Sequence, residues 1–187
     1  MTTANQCQSS SSVELSAVSD RYSEQIGKAF LANVLVPYRD HCKYLKQAEF
    51  TSDLDEGVKG YQMHGQFGIE DSCYIDDTGH FNAVEFNICY NQLAYLHLGH
   101  CIKHRLIPEL YEFDHASFQK MQLSHFLIAS ITSSYGAELN ARKFKGKFGI
   151  NSIRRRSGCT FIKTFCDFTD DENGRSKGEV TLAVLAP

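Results

Sequence analysis

The stretch from residue 78 to residue 100, TGHFNAVEFNICYNQLAYLHLGH, constrains the fold of this chain more than any other. Two stripes of mainly apolar residues recur along it at helical spacing: Phe86, Cys89, Tyr90, Leu93 and Leu96, and Val84, Ile88, Asn91 and Tyr95. A helix that is apolar on two sides must be covered on both. The pattern therefore predicts a buried helix from Asn82 to about His104, around which the rest of the chain packs.

The start of this helix carries a capping signal. Asn82 stands three residues before Glu85, so each side chain can satisfy a free backbone amide of the first turn. A helix N-terminus also offers N–H groups and positive potential, which can hold an oxyanion or a polarised thioester carbonyl. Gly79 permits close backbone approach, and His80 adds a polar group. An ordinary capped helix with a surface histidine has the same spacing, so spacing alone leaves both interpretations open.

Asn82 and Asn91 are nine residues apart, which places them on opposite helix faces at 100° per residue. They converge on one ligand only if Asn82 lies before the first turn, or if a second subunit contributes. Asn91 shares a face with Tyr95 and Asn87. A buried asparagine is otherwise explained by bonding to a neighbouring backbone.

The rest of the chain predicts one sheet against this helix. Residues 1–18 are polar and serine-rich and predict a disordered tail, and residues 19–187 form a single domain. The predicted elements are a helix from Asp20 to Pro37, strands in 43–51 and 57–69, a short amphipathic piece in 115–123, and three long strands towards the C-terminus, the last two flanking the turn at 169–178. One long helix followed by three long strands indicates an α+β fold with an antiparallel sheet.

Composition and motifs exclude several classes of protein. The net charge of −3 gives no whole-chain attraction to nucleic acid or to an anionic membrane. The first residues do not have the pattern of a secretory signal, and no run of 18 apolar residues occurs, so neither secretion nor a membrane span is expected. Seven cysteines without a C-x-x-C indicate reduced thiols, and the expected location is cytoplasmic. Without G-x-S-x-G, Walker or Rossmann glycine patterns, serine hydrolases, nucleotide hydrolases and dehydrogenases lose support.

Two further patterns have alternative interpretations. His100 and His104 are spaced to share a metal, but no further ligand is spaced to match, so no metal site is predicted. The basic stretches 141–149 and 153–158 interleave charge with aromatic residues, which is compatible with a nucleic-acid-binding module. A solvated strand face explains the alternation better. Such a face would also attract an acidic carrier protein or the phosphates of coenzyme A.

The run YIDDTGHFNAVEFNICYNQLAY, residues 74–95, closely resembles the FcoT family. Members have been described as type III fatty acyl-CoA thioesterases, and also as enzymes that add glycine to an enoyl thioester in isonitrile lipopeptide biosynthesis. Weaker similarity extends to residues 34–45 and 171–187. The resemblance implies a hot-dog fold, in which an antiparallel sheet wraps a long central helix. It also implies at least a homodimer, since hot-dog sites generally form between subunits.

The resemblance also implies site residues. The positions that match the family's motifs are Tyr38, Tyr74, Asn82 and Asn91. His80 lies in the shared run, and its role is inferred here from its chemistry. The segment around His64 departs from the family, so no role is assigned to it.

The function expected from the resemblance is conjugate addition of glycine to a (2E)-enoyl chain on the phosphopantetheine of an acyl carrier protein, a reaction of the carbon–nitrogen lyase class. The expected catalytic residues are Tyr74, His80, Asn82, Glu85 and Asn91, and the expected substrate-binding residues are Tyr38, Gly79 and Tyr95. Asn82 would bind the thioester carbonyl, and His80 or Glu85 would take the proton from glycine. No metal or redox cofactor is expected, although the acyl chain could also arrive on coenzyme A.

Two points stay open at this stage. Water in place of glycine would make the protein a thioesterase, although its activating carboxylate would be Glu85, which the capping box already engages. The group that binds the carboxylate of glycine is also undecided, and the candidates are Lys147, Arg154, Arg155 and Arg156.

Overall fold

A computed structural model describes residues 21–76 and 80–187. Its strands are β1 (Arg21–Gln25), β2 (Leu45–Asp53), β3 (Gln62–Phe67), β4 (Phe126–Ala137), β5 (Phe144–Arg156), β6 (Cys159–Thr169) and β7 (Arg175–Leu185), and its α-helices are α1 (Lys28–Val34), α2 (Ala83–Lys103) and α3 (His115–His125). Short 3₁₀ turns cover Asp40–Cys42, Leu54–Gly60 and Pro108–Leu110. The predicted tail of residues 1–18 and the predicted site residue Gly79 lie outside the described residues.

The strands form one antiparallel sheet in the order β1-β2-β3-β5-β6-β7-β4, and it wraps α2. Fifteen of the 21 residues of α2 are buried, and the helix runs from its cap at Asn82 to His104. The predicted buried helix is therefore confirmed, including its bounds. A sheet that encloses one long helix is the α+β hot-dog arrangement.

The helix predicted from Asp20 to Pro37 is confirmed for Lys28–Val34 and wrong for residues 21–27, while its predicted cap, Asp20, lies outside the described residues. Residues Arg21–Gln25 form β1, which pairs with β2 from Arg21–Asp53 to Gln25–Glu49. Helix α1 begins only after Gly27. The helical spacing of apolar residues is genuine from Leu31 onward, but the polar segment before it gains more hydrogen bonds as an edge strand than as an isolated helical turn.

The C-terminal region also differs from the prediction, because four strands rather than three follow α2. The alternation of lysine and phenylalanine around residue 145 belongs to β5, with Phe144 and Phe148 buried and Lys145 exposed, as predicted. Alternating burial along β5, β6 and β7 places one side of each strand on the helix.

Phenylalanine rings hold the start of α2 against the sheet. Phe81, just before the helix, lies 5.0 Å from Phe144 and 5.3 Å from Phe168, measured between ring centroids. Phe86, in the first turns, lies 5.2 Å from Phe168. Burying each ring contributes a few kcal/mol, so this packing fixes where the helix begins. A Cβ at Gly146 would come within 2.8 Å of Phe168, and glycine there makes room for the ring.

Candidate active site

The side-chain amide of Asn82 lies at the tip of α2 and makes two different contacts. Its Oδ1 accepts a hydrogen bond from the backbone N–H of Val84 at 2.8 Å, which caps the helix. Its Nδ2 donates to the hydroxyl of Tyr74 at 2.7 Å. Tyr74 is 44% exposed. The Asn82–Tyr74 pair is therefore open to solvent, and a substrate can reach the amide end of the helix.

Glu85 lies on the inner side of this pair. Its side chain is 1% exposed, and its carboxylate accepts hydrogen bonds from the backbone N–H of Asn82 at 3.3 Å and from the Ser72 hydroxyl at 3.4 Å. The predicted capping box is therefore confirmed. His80 precedes the cap and is exposed. Of the two candidate bases, the carboxylate is engaged in the fold and the imidazole has access to water.

Asn91 and Tyr95 lie further along α2, and Tyr38, in the connection after α1, lies near Tyr95 and Cys89 of that helix. Asn91 is half-buried, and Tyr95 follows it by one helical turn on the same face. Burial raises the pKa of the Tyr38 hydroxyl well above its ordinary value, with smaller contributions from the neighbouring Tyr95 and Cys89. Burial also raises the pKa of Tyr95. Both hydroxyls therefore stay protonated at neutral pH and can donate hydrogen bonds.

A cavity of about 410 Å³ opens beside the start of α2. Its wall includes Ser72, Glu85, Glu138, Arg142 and Asp170. Tyr74 and Asn82 do not line it. The Asn82–Tyr74 pair thus stands on an outer surface of the chain, while Glu85 borders the cavity behind that surface.

The basic residues considered for the carboxylate of glycine lie elsewhere. Phe81 places the tip of α2 against Phe144, at the first residue of β5, whereas Arg154–Arg156 are at the last. Arg154 lies ten residues and Arg156 twelve residues beyond Phe144, which is about 33 to 40 Å along an extended strand. Arg155 instead pairs with Glu112. Lys147 pairs in register with His64 and Asp167 across the sheet. Lys147 also alternates with the buried Phe148, so its side chain lies on the face of the sheet away from the helix. The structure therefore does not bring these basic residues to the helix tip.

The histidines at the other end of α2 have structural contacts. The rings of His100 and His104 lie 4.4 Å apart, and His100 packs on Phe50 at 4.3 Å. Burial lowers the pKa of His100 to about 4. Within 21–76 and 80–187, no group of three or more potential metal-ligating side chains converges. His100 therefore belongs to the core, whereas His104 beside it is exposed.

Sequence reasoning did not identify the residues that hold Tyr74 in place. Ser72, two residues before it, bonds to Glu85, and the hydroxyl of Tyr44 contacts the backbone of the same segment. Tyr44 lies in the 34–45 stretch that resembles the family. Its hydroxyl acts across 29 residues of chain, and no local spacing signals such a contact.

One antiparallel sheet around a long central helix defines a hot-dog protein. The chain belongs to the family of the FcoT-like thioesterase domain, whose sequence model matches residues 33–184. None of the helices in the described part of the chain has the length and apolarity needed to cross a membrane.

Several curated relatives match most of the chain. A protein of Streptomyces coeruleorubidus named (2E)-enoyl-[ACP] glycyltransferase is 40% identical over 84% of this chain and 96% of its own. A protein of the same name from Mycobacterium marinum is 33% identical over 90% of this chain and 92% of its own. Among solved structures, a thioesterase from Haemophilus influenzae is similar with a TM-score of 0.44 and 10% identity, covering 67% of this chain and 72% of its own.

Proposed function

We propose that this protein adds glycine to the β-carbon of a (2E)-enoyl chain held as a thioester on an acyl carrier protein. The new bond joins the amine nitrogen to the β-carbon, and a proton is delivered to the α-carbon, so the thioester stays intact. The product is a 3-[(carboxymethyl)amino]acyl thioester. The names of the relatives at 40% and 33% identity support this reaction. The observation that carries it is the solvent-facing Asn82–Tyr74 pair at the helix tip.

Asn82 and Tyr74 act on the thioester carbonyl in this proposal. Attack on the β-carbon moves negative charge onto the carbonyl oxygen, which Nδ2 of Asn82 and the positive potential of the helix N-terminus stabilise. Because the Tyr74 oxygen already accepts a hydrogen bond from Asn82, its own proton is left to donate to the substrate. One such donor contributes on the order of 3 kcal/mol to the transition state.

His80 is the proposed general base. Glycine arrives as an ammonium and must lose a proton before its nitrogen can attack. Glu85 is buried and holds the backbone of Asn82 and the hydroxyl of Ser72, so proton uptake there would weaken the cap. His80 is exposed and can pass the proton to water.

Two of the proposed substrate-positioning residues, Asn91 and Tyr95, lie on α2, and Tyr38 lies near them in the connection after α1. Tyr38, Tyr95 and Asn91 donate hydrogen bonds to glycine or to the acyl carrier's phosphopantetheine arm. Their protonated hydroxyls and the half-buried amide support this assignment. Gly79, expected to allow close approach of the substrate to the backbone, keeps that role as a proposal.

A second copy of the chain completes the site in this proposal. β4 is the last strand of the sheet, and in the described part of the chain its outer edge is unpaired. Ile131 and Tyr135 are each 42% exposed, although they pair with the buried residues Val180 and Ser176. The Tyr135 ring lies 6.3 Å from Phe86, so this uncovered strip borders the start of α2. An exposed apolar edge strand of this length favours pairing with a partner.

The test combines both substrates with the enzyme and measures the mass of the carrier protein. Enoyl-carrier protein is incubated with glycine and enzyme, and intact-protein mass spectrometry follows the carrier-bound species. The expected result is a glycine adduct that appears only when both substrates and enzyme are present. Release of free acid without an adduct would instead support thioester hydrolysis, the second candidate, which the thioesterase description of the family favours.

A further inference from the structure

The segment that carries Tyr74 lies outside the regular elements. Residues 68–76 follow β3 without forming a helix or strand. Tyr74 is nevertheless placed within 2.7 Å of Asn82, and a side chain on an irregular segment holds such a position only if its backbone is fixed.

The hydroxyl of Tyr44 holds this backbone on both sides of Ser72. It accepts a hydrogen bond from the N–H of Cys73 at 2.9 Å and donates to the carbonyl of Asp71 at 3.4 Å. Tyr44 is only 1% exposed, so its ring is locked in the core while its hydroxyl reaches the segment. The residue after Cys73 is Tyr74 itself.

Tyr44 is in turn held by the central helix. Oε1 of Gln92, a fully buried residue of α2, accepts hydrogen bonds from the backbone N–H of Tyr44 at 3.0 Å and of Leu45 at 2.9 Å. Its Nε2 donates to the carbonyl of Cys42 at 2.6 Å. The connection therefore runs from Gln92 through Tyr44 and Cys73 to Tyr74, and returns to the same helix at Asn82.

We propose that Tyr44 is a positioning residue for the reaction and acts through Tyr74. This inference rests on the proposed function, because it assigns Tyr74 a place beside the thioester. The hydroxyl of Tyr44 does not touch the substrate. It fixes the backbone that places Tyr74 beside Asn82. Without the Tyr44 hydroxyl, the Tyr74 hydroxyl is no longer held next to the reacting carbonyl.

The test is the variant Tyr44→Phe, with Tyr90→Phe as its matched control. Tyr90 is also fully buried, and its hydroxyl lies 2.9 Å from Thr164 on β6, away from the segment. Both variants lose one buried hydroxyl and should melt at similarly lowered temperatures. Only Tyr44→Phe is expected to lower kcat for glycine addition, by about tenfold or more. Equal kcat values in the two variants would overturn the inference.

Two further measurements separate positioning from general damage. Hydrogen exchange of residues 71–76 should be faster in Tyr44→Phe than in Tyr90→Phe, and this readout needs no activity. In the double variant Tyr44→Phe/Tyr74→Phe, kcat should stay within about threefold of Tyr74→Phe alone, because Tyr44 acts through the hydroxyl already removed. The proposal is contradicted if the two substitutions lower kcat multiplicatively, or if hydrogen exchange of residues 71–76 is the same in Tyr44→Phe and Tyr90→Phe. Absence of any adduct with the wild-type enzyme would instead overturn the proposed function, and the exchange comparison would still decide whether Tyr44 holds the segment.

Discussion

The two atoms of the Asn82 amide have separate tasks, so they can be tested separately. The oxygen caps α2, and the nitrogen faces Tyr74 and the proposed carbonyl site. Aspartate caps helices as well as asparagine does, but it has no N–H to donate. We expect Asn82→Asp to keep the free energy of unfolding within about 0.5 kcal/mol of wild type and to lower kcat by about 100-fold or more. Urea unfolding and initial rates of adduct formation measure the two quantities.

The control for this variant is a cap far from the site. Asp114 caps α3 by accepting a hydrogen bond from the N–H of Ser117 at 2.7 Å. Asp114→Ala should cost about 1 kcal/mol of stability and leave kcat unchanged. If Asn82→Asp were as active as wild type, Nδ2 would have no role in the reaction.

The choice of base is a second prediction at the scale of single residues. Glutamine can replace glutamate in a capping box but cannot accept a proton from glycine's ammonium. We therefore expect Glu85→Gln to retain kcat within about threefold and His80→Gln to lower it by about 100-fold, the usual contribution of a general base. Steady-state rates at saturating glycine decide the matter. The reverse pattern would move the base to Glu85.

At the scale of the element, the polar residues of α2 each have a structural or a proposed chemical reason. Glu85 completes the cap, the Tyr90 hydroxyl lies 2.9 Å from Thr164, and Gln92 holds the start of β2. His97 places its Nε2 3.0 Å from the carbonyl of Tyr61. Asn91 is only half-buried, on the face proposed to meet substrate. A buried helix can therefore carry many polar groups when neighbouring strands and loops supply their partners.

Burial of His97 predicts loss of stability in acid. Its side chain is fully buried, and burial lowers its pKa from 6.5 to about 3. Above pH 6.5 His97 is neutral in both the folded and the unfolded chain, so its burial does not lower the free energy of unfolding there. Below pH 6.5 the unfolded chain binds a proton at His97 and the folded chain does not. The free energy of unfolding therefore falls by about 1.4 kcal/mol per pH unit until pH 3 is approached.

The measurement compares unfolding by urea at pH 7 and at pH 5. For wild type we expect His97 to contribute about 2 kcal/mol to the loss between these values. In His97→Gln, which cannot titrate and can still donate to Tyr61, the loss should be smaller by that amount. Identical losses in the two proteins would show that His97 is protonated in the folded state.

The elements that could be predicted from sequence are those whose signals are local. The bounds of α2 follow from periodicity and from the box between Asn82 and Glu85, and both are properties of neighbouring residues. β1 could not be predicted, because its pairing with β2 is non-local and its residues are polar. The role of Tyr44 is hidden for the same reason: Gln92, which holds it, lies 48 residues away. The only local sign of this role is a glutamine in the middle of a mainly apolar helix.

At the scale of the whole molecule, the uncovered edge at β4 predicts a dimer that can be disrupted. A lysine at Ile131 would place an unpaired ammonium in the proposed interface, at a cost of several kcal/mol. We expect Ile131→Lys to raise the dissociation constant of the dimer by at least about 100-fold and to lower activity with it. Sedimentation equilibrium measures the first effect. Leu54→Lys, at another exposed apolar residue, is the control and should leave the dimer intact. A wild-type protein that sediments as a monomer would refute this assignment.

Asn82 caps α2 and Asn91 lies inside the helix, so the backbone rise sets the distance along the axis from the first helical residue, Ala83, to Asn91 at about 12 Å for eight residues. Inserting or deleting a residue between the cap and Asn91 would rotate the Asn91 amide by about 100° around the helix axis relative to the cap. Relatives that accept longer or shorter acyl chains must therefore differ in the side chains surrounding the helix, and the spacing of its two asparagines is expected to stay the same in all of them.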